Sequence, residues 1–504
     1  MPPSRANPSD FHPADAPVNM TMTESAFRLS SIVSTFVNRK VLVLGDAILD
    51  EYLSGECNRI SPEAPVPVLK VNGVRQVLGG AANTAANIAA LGGQPTLVAC
   101  VRTDDEAGAT IVTCARNNGI DLQPVNNGRA TLRKTRVVGQ HQQIVRLDYE
   151  DVRPPDAGSE ASILAVFDRC LEDTDIVVVS DYAKGFLSEA LAQQVIARAH
   201  RAGRQVIVDP RPQHRSYYQG CDYVTPNWRE SRGLLGLPDA EPTPDAASAV
   251  ARQLASALGS NVVLTLGPHG ISFCSRTGDE QFAIPTLAKE VFDVSGAGDT
   301  VVATLALAIA SAADHASAVW LANRAASVVV GKFGTATLTS EELLGEDDAL
   351  RLVPRKSLAA LAATVRARGK RLVTVNGSFD ILHRGHLHIL NEARRQGDVL
   401  IVGLNSDASV RSLKGPTRPI NAARARAELL LALRMVDYVH IFDEADPVAF
   451  LSELHPDVHV NGAEYGENCI ERDVVVGNGG RLHLVDRIGN ESTSEIVKTL
   501  EECR

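Results

Sequence analysis

Residues 376–388 read NGSFDILHRGHLH and come directly after an apolar run, LVTV at 372–375. A strand that ends in Asn-Gly and hands over to His383-Arg-Gly-His386 predicts a turn opening onto a helix N-terminus. There the first N–H groups have no intrahelical acceptor, and the helix dipole favours an anion. Gly385 lets the backbone approach such an anion closely, and His383 and His386, three apart, share a helix face. The stretch, with Gly377, Ser378, Phe379 and Asp380 in its turn, therefore predicts a nucleotide-phosphate site. Asp380 is expected either to orient magnesium or a sugar hydroxyl, or to cap the helix. Zinc is a poor fit: His383, His386 and His388 lack a third ligand at suitable spacing, and Pro456 interrupts any helix joining His455 to His459. No protein metal cluster is expected, only magnesium that arrives with a nucleotide.

Outward from this motif the chain alternates apolar runs with helical patterns. On its C-terminal side lie a helix at 386–396, VLIVGLN at 399–405, a helix at 422–434, YVHIF at 438–442, a helix at 447–454, VHVNG at 458–462 and RLHLV at 481–485. These residues suit one Rossmann-like, doubly wound α/β domain over 371–504. Asn405 and Asp407 fall at the carboxyl edge of a strand, where such sheets bind ligands. Lys414 and Arg426 would add mobile positive charge against a triphosphate. Nucleotidyl transfer needs no nucleophilic side chain, since a phosphate oxygen attacks the α-phosphorus and the protein must only align groups and neutralise pyrophosphate.

On the N-terminal side a second α/β set runs through VLVLG at 41–45, a helix at 81–91, VVVS at 177–180, VIVD at 206–209, VVLTLG at 262–267 and a long helical region at 298–331. Its strands predict a mainly parallel sheet covered on both faces. The alternating stretches 75–80 and 135–148 predict a small separate β sheet or lid. The expected organisation is a leader over 1–37, disordered to residue 22 with a short helix over 24–37, a first domain over 38–340, a linker and connecting helix over 341–370, and the second domain. Composition agrees with a two-domain protein: 504 residues, net charge −10 and only 4% aromatics exclude a diffuse nucleic-acid binder. Eight scattered cysteines without a CxxC pair, no 18-residue apolar run and no signal-peptide pattern predict a cytoplasmic protein with no membrane contact.

The first half carries its own chemistry in DVSGAGDT at 293–300. Gly296, Ala297 and Gly298 can present successive N–H groups at a helix start, an anion hole, and Asp299 beside them can take a proton from a substrate hydroxyl. No GxxxxGK[ST] P-loop occurs, so ATP would be held by other means.

This stretch resembles the signature of the ribokinase-like sugar kinases, whose other landmarks occur in order over 40–338. The resemblance implies a sugar site from Asp46, Asp50, Gly79, Gly80 and Asn83. It also implies nucleotide, magnesium and phosphate placement by the Asn227-Trp-Arg-Glu230 element, a nucleotide turn at Thr265, Gly267 and Gly270, and Asn323 near the adenine. Lys184 would neutralise a substrate or ATP phosphate, or be a solvated turn lysine. The motif at 376–388 resembles the nucleotidyltransferase superfamily, and its Ser/Thr-rich phosphate turn is matched by Ser492, Thr493 and Ser494.

The order of the two halves resembles the bifunctional heptose 7-phosphate kinase/heptose 1-phosphate adenylyltransferase family, as do RISPEAPVPV at 59–68 and SDYAKG at 180–185. That resemblance implies phosphorylation of a heptose 7-phosphate at C1, then adenylyl transfer to the 1-phosphate, giving ADP-heptose for lipopolysaccharide core, with ATP and Mg2+ used in both steps. Two departures stand out: Asn461-Gly-Ala-Glu-Tyr465 where the family reads Lys-Gly-Gly-Asp-Tyr, and Arg211 where a lysine is usual. Lys498 and Arg487 are candidate substitutes for the missing lysine. A different sugar kinase joined to a cytidylyltransferase, and a nucleotide-binding regulator without turnover, remain alternatives. The edges of segments 66–80 and 135–148 would favour a homodimer.

Overall fold

The computed structural model describes residues 22–139, 142–288, 291–332, 336–345, 351–367, 369–466 and 468–486. The chain divides into two compact units, one of residues 35–343 and one of residues 344–504 joined by the helix Met22–Ser34.

The first unit is built on a nine-stranded sheet with the order β13-β12-β11-β10-β9-β8-β1-β4-β5. Its members are β1 (Lys40–Gly45), β4 (Gln94–Cys100), β5 (Asp121–Val125), β8 (Ile176–Ser180), β9 (Gln205–Asp209), β10 (Tyr223–Val224), β11 (Asn261–Thr265), β12 (Ile271–Cys274) and β13 (Gln281–Ile284). All neighbours pair in parallel except at the β11–β12–β13 edge, which is antiparallel. β8 is buried at every position, as its unbroken apolar run requires when helices cover both faces. From β1 the chain moves one way to β4 and β5 and the other way to β8 and beyond, so the switch point lies at the carboxyl end of β1.

A separate four-stranded sheet, ordered β3-β2-β6-β7, comprises β2 (Ala47–Ile60), β3 (Pro67–Gly80), β6 (Leu132–Gly139) and β7 (Gln142–Tyr149). It is larger than the lid expected from 75–80 and 135–148, because β2 runs 14 residues directly after β1. The helical region expected over 298–331 is two helices, Ala297–Ala310 and His315–Val329. Asp314 breaks it by capping the second helix, accepting from Ser317 N at 2.7 Å.

The second unit is a fully parallel sheet ordered β16-β15-β14-β17-β18, with β14 (Leu372–Gly377), β15 (Val399–Asn405), β16 (Tyr438–Phe442), β17 (Val458–Gly462) and β18 (Arg481–Val485). Here the switch point falls at β14, whose carboxyl end feeds the 376–388 motif. The segment expected to be a linker and connecting helix is part of this unit's core. Val353 N donates to Val439 O at 2.7 Å, and Leu358, Leu361 and Val365 of the helix Leu358–Ala367 pack with Leu372, Val399 and Phe450. The leader helix belongs to this unit too, with Leu29 and Val33 buried; residues 1–21 lie outside the described residues.

Candidate active sites

In the first unit Asp299 is the third residue of the helix Ala297–Ala310 and only 4% exposed. Its Oδ2 accepts from Asn83 Nδ2 at 2.6 Å, and its Oδ1 from Thr84 Oγ1 at 3.0 Å and Tyr182 OH at 2.7 Å. Burial raises its carboxyl above the ordinary value, and these three donors oppose that rise. Among the described residues the donors bonded to this carboxylate are all neutral, and Arg211 acts on it only through its charge. Gly296, at φ 80°, is the N-cap and supplies no side-chain acceptor. Of the expected anion hole, Ala297 N makes a 3.3 Å turn bond to Val294 O, whereas a Cβ added to Gly298 would touch nothing within 4 Å. The open side of the helix start is therefore at Gly298.

Asn83 and Asn87 are one turn apart on the helix Ala81–Ala90, where Asn87 Nδ2 donates to Asn83 O at 3.0 Å, and Thr300 Oγ1 of the neighbouring helix donates to Asn87 Oδ1 at 3.0 Å. Asp46 has a structural task that its sequence position does not reveal. Its carboxylate, 3% exposed, accepts from the backbone N–H of Tyr182, Lys184 and Phe186 at 3.0–3.1 Å. It thus holds the 182–186 turn. Burial lifts it to about 6 against those backbone donors. Gly80 is needed because a Cβ there would lie 2.2 Å from Asp46 O, and Gly79 because one there would lie 2.2 Å from Asp50 Oδ2. Asp50 pairs with Arg136 Nη1 at 2.5 Å, and Lys184 with Glu150 Oε2 at 2.6 Å, so Lys184 is not a solvated turn lysine.

The Asn227-Trp-Arg-Glu230 element is a capping box on the helix Trp228–Leu235. Asn227 Oδ1 accepts from Glu230 N at 2.8 Å, Glu230 Oε2 accepts from Asn227 N at 2.9 Å, and the remaining Glu230 oxygen meets Arg211. Asn227, Trp228, Glu241, Thr265 and Gly267 line a cleft of about 640 Å³. Gly270 ends the short turn that begins at Gly267. Asn323 does not face this cleft's lining; it is buried and donates to Pro285 O at 2.8 Å. Two residues escaped the sequence reading. Tyr182 holds the base, and Asp209, 8% exposed at the end of β9, has its carboxyl raised by burial and by the facing Glu230. Its place at a strand's carboxyl edge was the available signal.

In the second unit His383 is the N-cap of the helix Arg384–Arg395, and its ring stacks on that of His386 at 3.8 Å. The two meet on one face of the helix start, as their spacing predicts, with His383 as the cap and His386 in the first turn. A Cβ on Gly385 would come within 3.0–3.1 Å of the His383 ring, so this glycine makes room for an imidazole. Burial, then the nearby His383 and Lys414, push His386 down to about 4. It is neutral at pH 7, and its Nδ1 is buried without a partner among the described residues.

Asp380 neither caps that helix nor stands free for magnesium. It accepts from Arg418 Nη1 at 2.7 Å, Ile420 N at 2.7 Å and Asn421 N at 3.1 Å. Burial would raise its carboxyl, but Arg418 and the two backbone donors outweigh it and hold it below the ordinary value. Arg426 is the larger correction: it is wholly buried, not mobile. Its guanidinium donates to Ser378 O at 2.6 Å, Asn405 O at 2.9 Å, Asn421 O at 2.9 Å and Asp407 Oδ1 at 2.7 Å, clamping three loops around the site. Asn405 Nδ2 meets Ser409 Oγ at 3.1 Å. Lys414 is the cation left facing the motif, 2.7 Å from Ser378 Oγ, with its pKa lowered by burial and by Arg418 and Arg426. Gly377 packs under the Phe379 ring, and Phe379 takes a left-handed φ of 40°. Asn461 faces Glu471, 6% exposed, across 3.4 Å, as Asn376 does. Ser492, Thr493, Ser494, Arg487 and Lys498 lie outside the described residues.

Two family models match: the pfkB family carbohydrate kinases over residues 38–342 and the cytidylyltransferase-like family over 374–483. The curated bifunctional protein HldE of Azorhizobium caulinodans is 43% identical over 468 residues, spanning 91% of this chain and 97% of its own. That of Mesorhizobium japonicum is 42% identical over 486 residues, spanning 94% and 97%. The chain belongs to the HldE family. As a member it is a bifunctional sugar-phosphate kinase and nucleotidyltransferase that uses ATP. Among solved structures, phosphofructokinase-2 from Escherichia coli in complex with potassium superposes with a TM-score of 0.52 at 19% identity, over 60% of this chain and 96% of that one, a likeness of fold. Among the described residues no helix is long and apolar enough to cross a membrane.

Proposed function

We propose that the first unit transfers the γ-phosphoryl group of ATP to the C1 hydroxyl of D-glycero-D-manno-heptose 7-phosphate, and that the second transfers adenylyl from ATP to heptose 1-phosphate, releasing pyrophosphate and ADP-heptose. In the first step Asp299 takes the hydroxyl proton as the oxygen attacks phosphorus and ADP leaves. The amides at Gly298 meet the charge on the transferring group. The observation that supports this most directly is Asp299 at an open helix N-terminus with only neutral donors on it. Those donors keep the carboxylate in place without a cation that would remove its basicity. In the second step His383, His386 and Lys414 bind the triphosphate, while Arg426 and Asp380 hold the loops that carry them.

Mg2+ enters with ATP in both steps. In the first unit Asp209 and Glu230 are suited to receive it, since Asp209 is buried beside another carboxylate and gains from a neighbouring cation. A need for ATP and sugar phosphates supports a cytoplasmic location. A homodimer through the lid is part of the proposal. Val74, Leu53, Val137 and Val145 form one apolar row across all four strands, and Val74 is 59% and Val145 44% exposed. A monomeric mass by sedimentation would remove it.

Mass spectrometry of products from heptose 7-phosphate and heptose 1-phosphate, each with Mg2+ and either ATP or CTP, tests the assignment. ADP-heptose from ATP alone is expected. CDP-heptose instead would identify a cytidylyltransferase, and no product from any sugar phosphate would favour a regulator.

A further inference from the structure

The parallel sheet of the second unit offers ligands a crevice at the carboxyl ends of β14 and β17, where the strand order reverses. The imidazoles stand on one face of it, since Val373 and Val375 pack with Leu390 and Ala393 of the helix that carries His386. Asn376 alternates with Val375 and belongs to the other face. A Cβ added to Gly403 would meet both Asn376 and Phe450, a core residue of that face. Beside Asn376 lies a carboxylate that the transfer chemistry does not use. Glu471, 6% exposed, precedes the helix Arg472–Gly477 but does not cap it with its side chain. Asn376 Nδ2 and Asn461 Nδ2 each donate to it at 3.4 Å, both long contacts. The Cys469 thiol is a further polar neighbour, and among the described residues no cation pairs with it. Asn376 Oδ1 is also buried, without a partner among those residues. Two buried acceptors with so little on them are a site prepared for donors. Tyr465, which feels the Glu471 charge, is 65% exposed, so the rim is open to solvent.

We infer that Glu471, with Asn376 Oδ1, receives paired hydroxyls of a substrate sugar across the crevice from the imidazoles. The inference rests on the transferase reading above. A carboxylate takes two O–H donors at once, and the amide oxygen beside it takes a third. Phosphate is excluded, because an anion here would face a buried carboxylate with no cation to offset it. Asn461 keeps that charge available. A lysine at 461 would bring an ammonium to the same carboxylate and close it with an ion pair, whereas the amide leaves it ionised and accepting. The two sugars of the reaction, the ribose of the nucleotide and the acceptor sugar, flank the α-phosphorus, so either can reach over β14 from the triphosphate. The contact is remote from the reacting atoms. Its role is recognition, and it acts on KM more than on kcat.

The test is steady-state pyrophosphate release by the full chain and its Glu471→Gln and Glu471→Ala variants, with heptose 1-phosphate and ATP, 2′-deoxy-ATP or 3′-deoxy-ATP. Heptose 1-phosphate has no free C1 hydroxyl, so the kinase does not contribute. Losing the carboxylate should raise one KM roughly 10- to 100-fold in Glu471→Ala and less in Glu471→Gln, with kcat within about threefold. If the rise is on ATP, the wild type should disfavour a deoxy-ATP and the variants should lose that preference, which identifies the ribose. If it is on heptose 1-phosphate, with the deoxy-ATPs handled as by the wild type, the hydroxyls are the acceptor's. Unchanged KM values, an equal rise on both substrates, or a fall in kcat alone overturns the inference. Urea unfolding of the second unit reports that each variant is folded. If the wild type uses CTP instead, the adenylyl assignment fails, and the same comparison with 2′-deoxy-CTP decides Glu471. No pyrophosphate from any nucleotide overturns both.

Discussion

Asp299 in the first unit and Arg426 in the second are both buried near the start of a helix, yet their partners differ in kind. Asp299 accepts from an amide and two hydroxyls, so its charge stays available to a substrate proton. Arg426 gives four of its five N–H groups to three carbonyls and one carboxylate, and it is wholly buried, so it serves as framework. A reaction that needs a base keeps an unpaired carboxylate at its centre. One that needs only alignment and positive charge can bury a cation as framework and leave binding to Lys414 and the stacked His383–His386 pair.

The comparison breaks most visibly at Asp299. Asp299→Asn should lower the kinase kcat by about 10³-fold while pyrophosphate release persists, because a positioned base contributes on that scale; ADP release in a coupled assay decides it. Arg426→Met should instead act on stability. Three carbonyls lose their donor and Asp407 its partner, at a cost of about 3 kcal/mol to the second unit, seen in urea unfolding with kinase activity retained. His386→Ala should slow adenylyl transfer roughly 100-fold without moving that unfolding midpoint, which separates ligand contact from framework.

The smallest effect is a pH dependence. Burial holds His459, bonded to Thr374 in the core, at about 3, well below an unfolded histidine. A base whose folded pKa is depressed adds stability above its unfolded pKa, about 6.5, and that stability is lost as pH falls toward 3. Thermal melts from pH 7 to 5 should therefore show the second unit weakening by up to about 1.4 kcal/mol per pH unit, less steeply in His459→Asn.

The strand 399–405 of the second unit is readable in the sequence because a fully buried parallel strand leaves a nearly unbroken apolar run, and 438–442, 458–462 and 481–485 are readable as short runs rich in Val, Ile, Leu and aromatics. β2 is not, since AILDEYLSGECNRI mixes charges into a strand that is half exposed and continues β1. Residue type and spacing point to Asp299, His383 and His386. They do not reveal that Asp46 serves backbone N–H groups some 140 positions away, or that Arg426 is buried while Arg424, on the same helix, is exposed. Those partners are set by tertiary contacts, which periodicity does not record.

The helix Met22–Ser34 belongs with the second unit, so residues 35–343 leave that unit and return to it. In chain terms the kinase is an insertion, tethered at both ends. Separating the two activities takes two cuts, and a transferase begun at residue 344 would lose the helix that supplies Leu29 and Val33 to buried positions. Unfolding of the kinase alone leaves the second unit closing a long loop, and the entropy of that closure grows only with the logarithm of loop length. The transferase should therefore outlast its partner's unfolding.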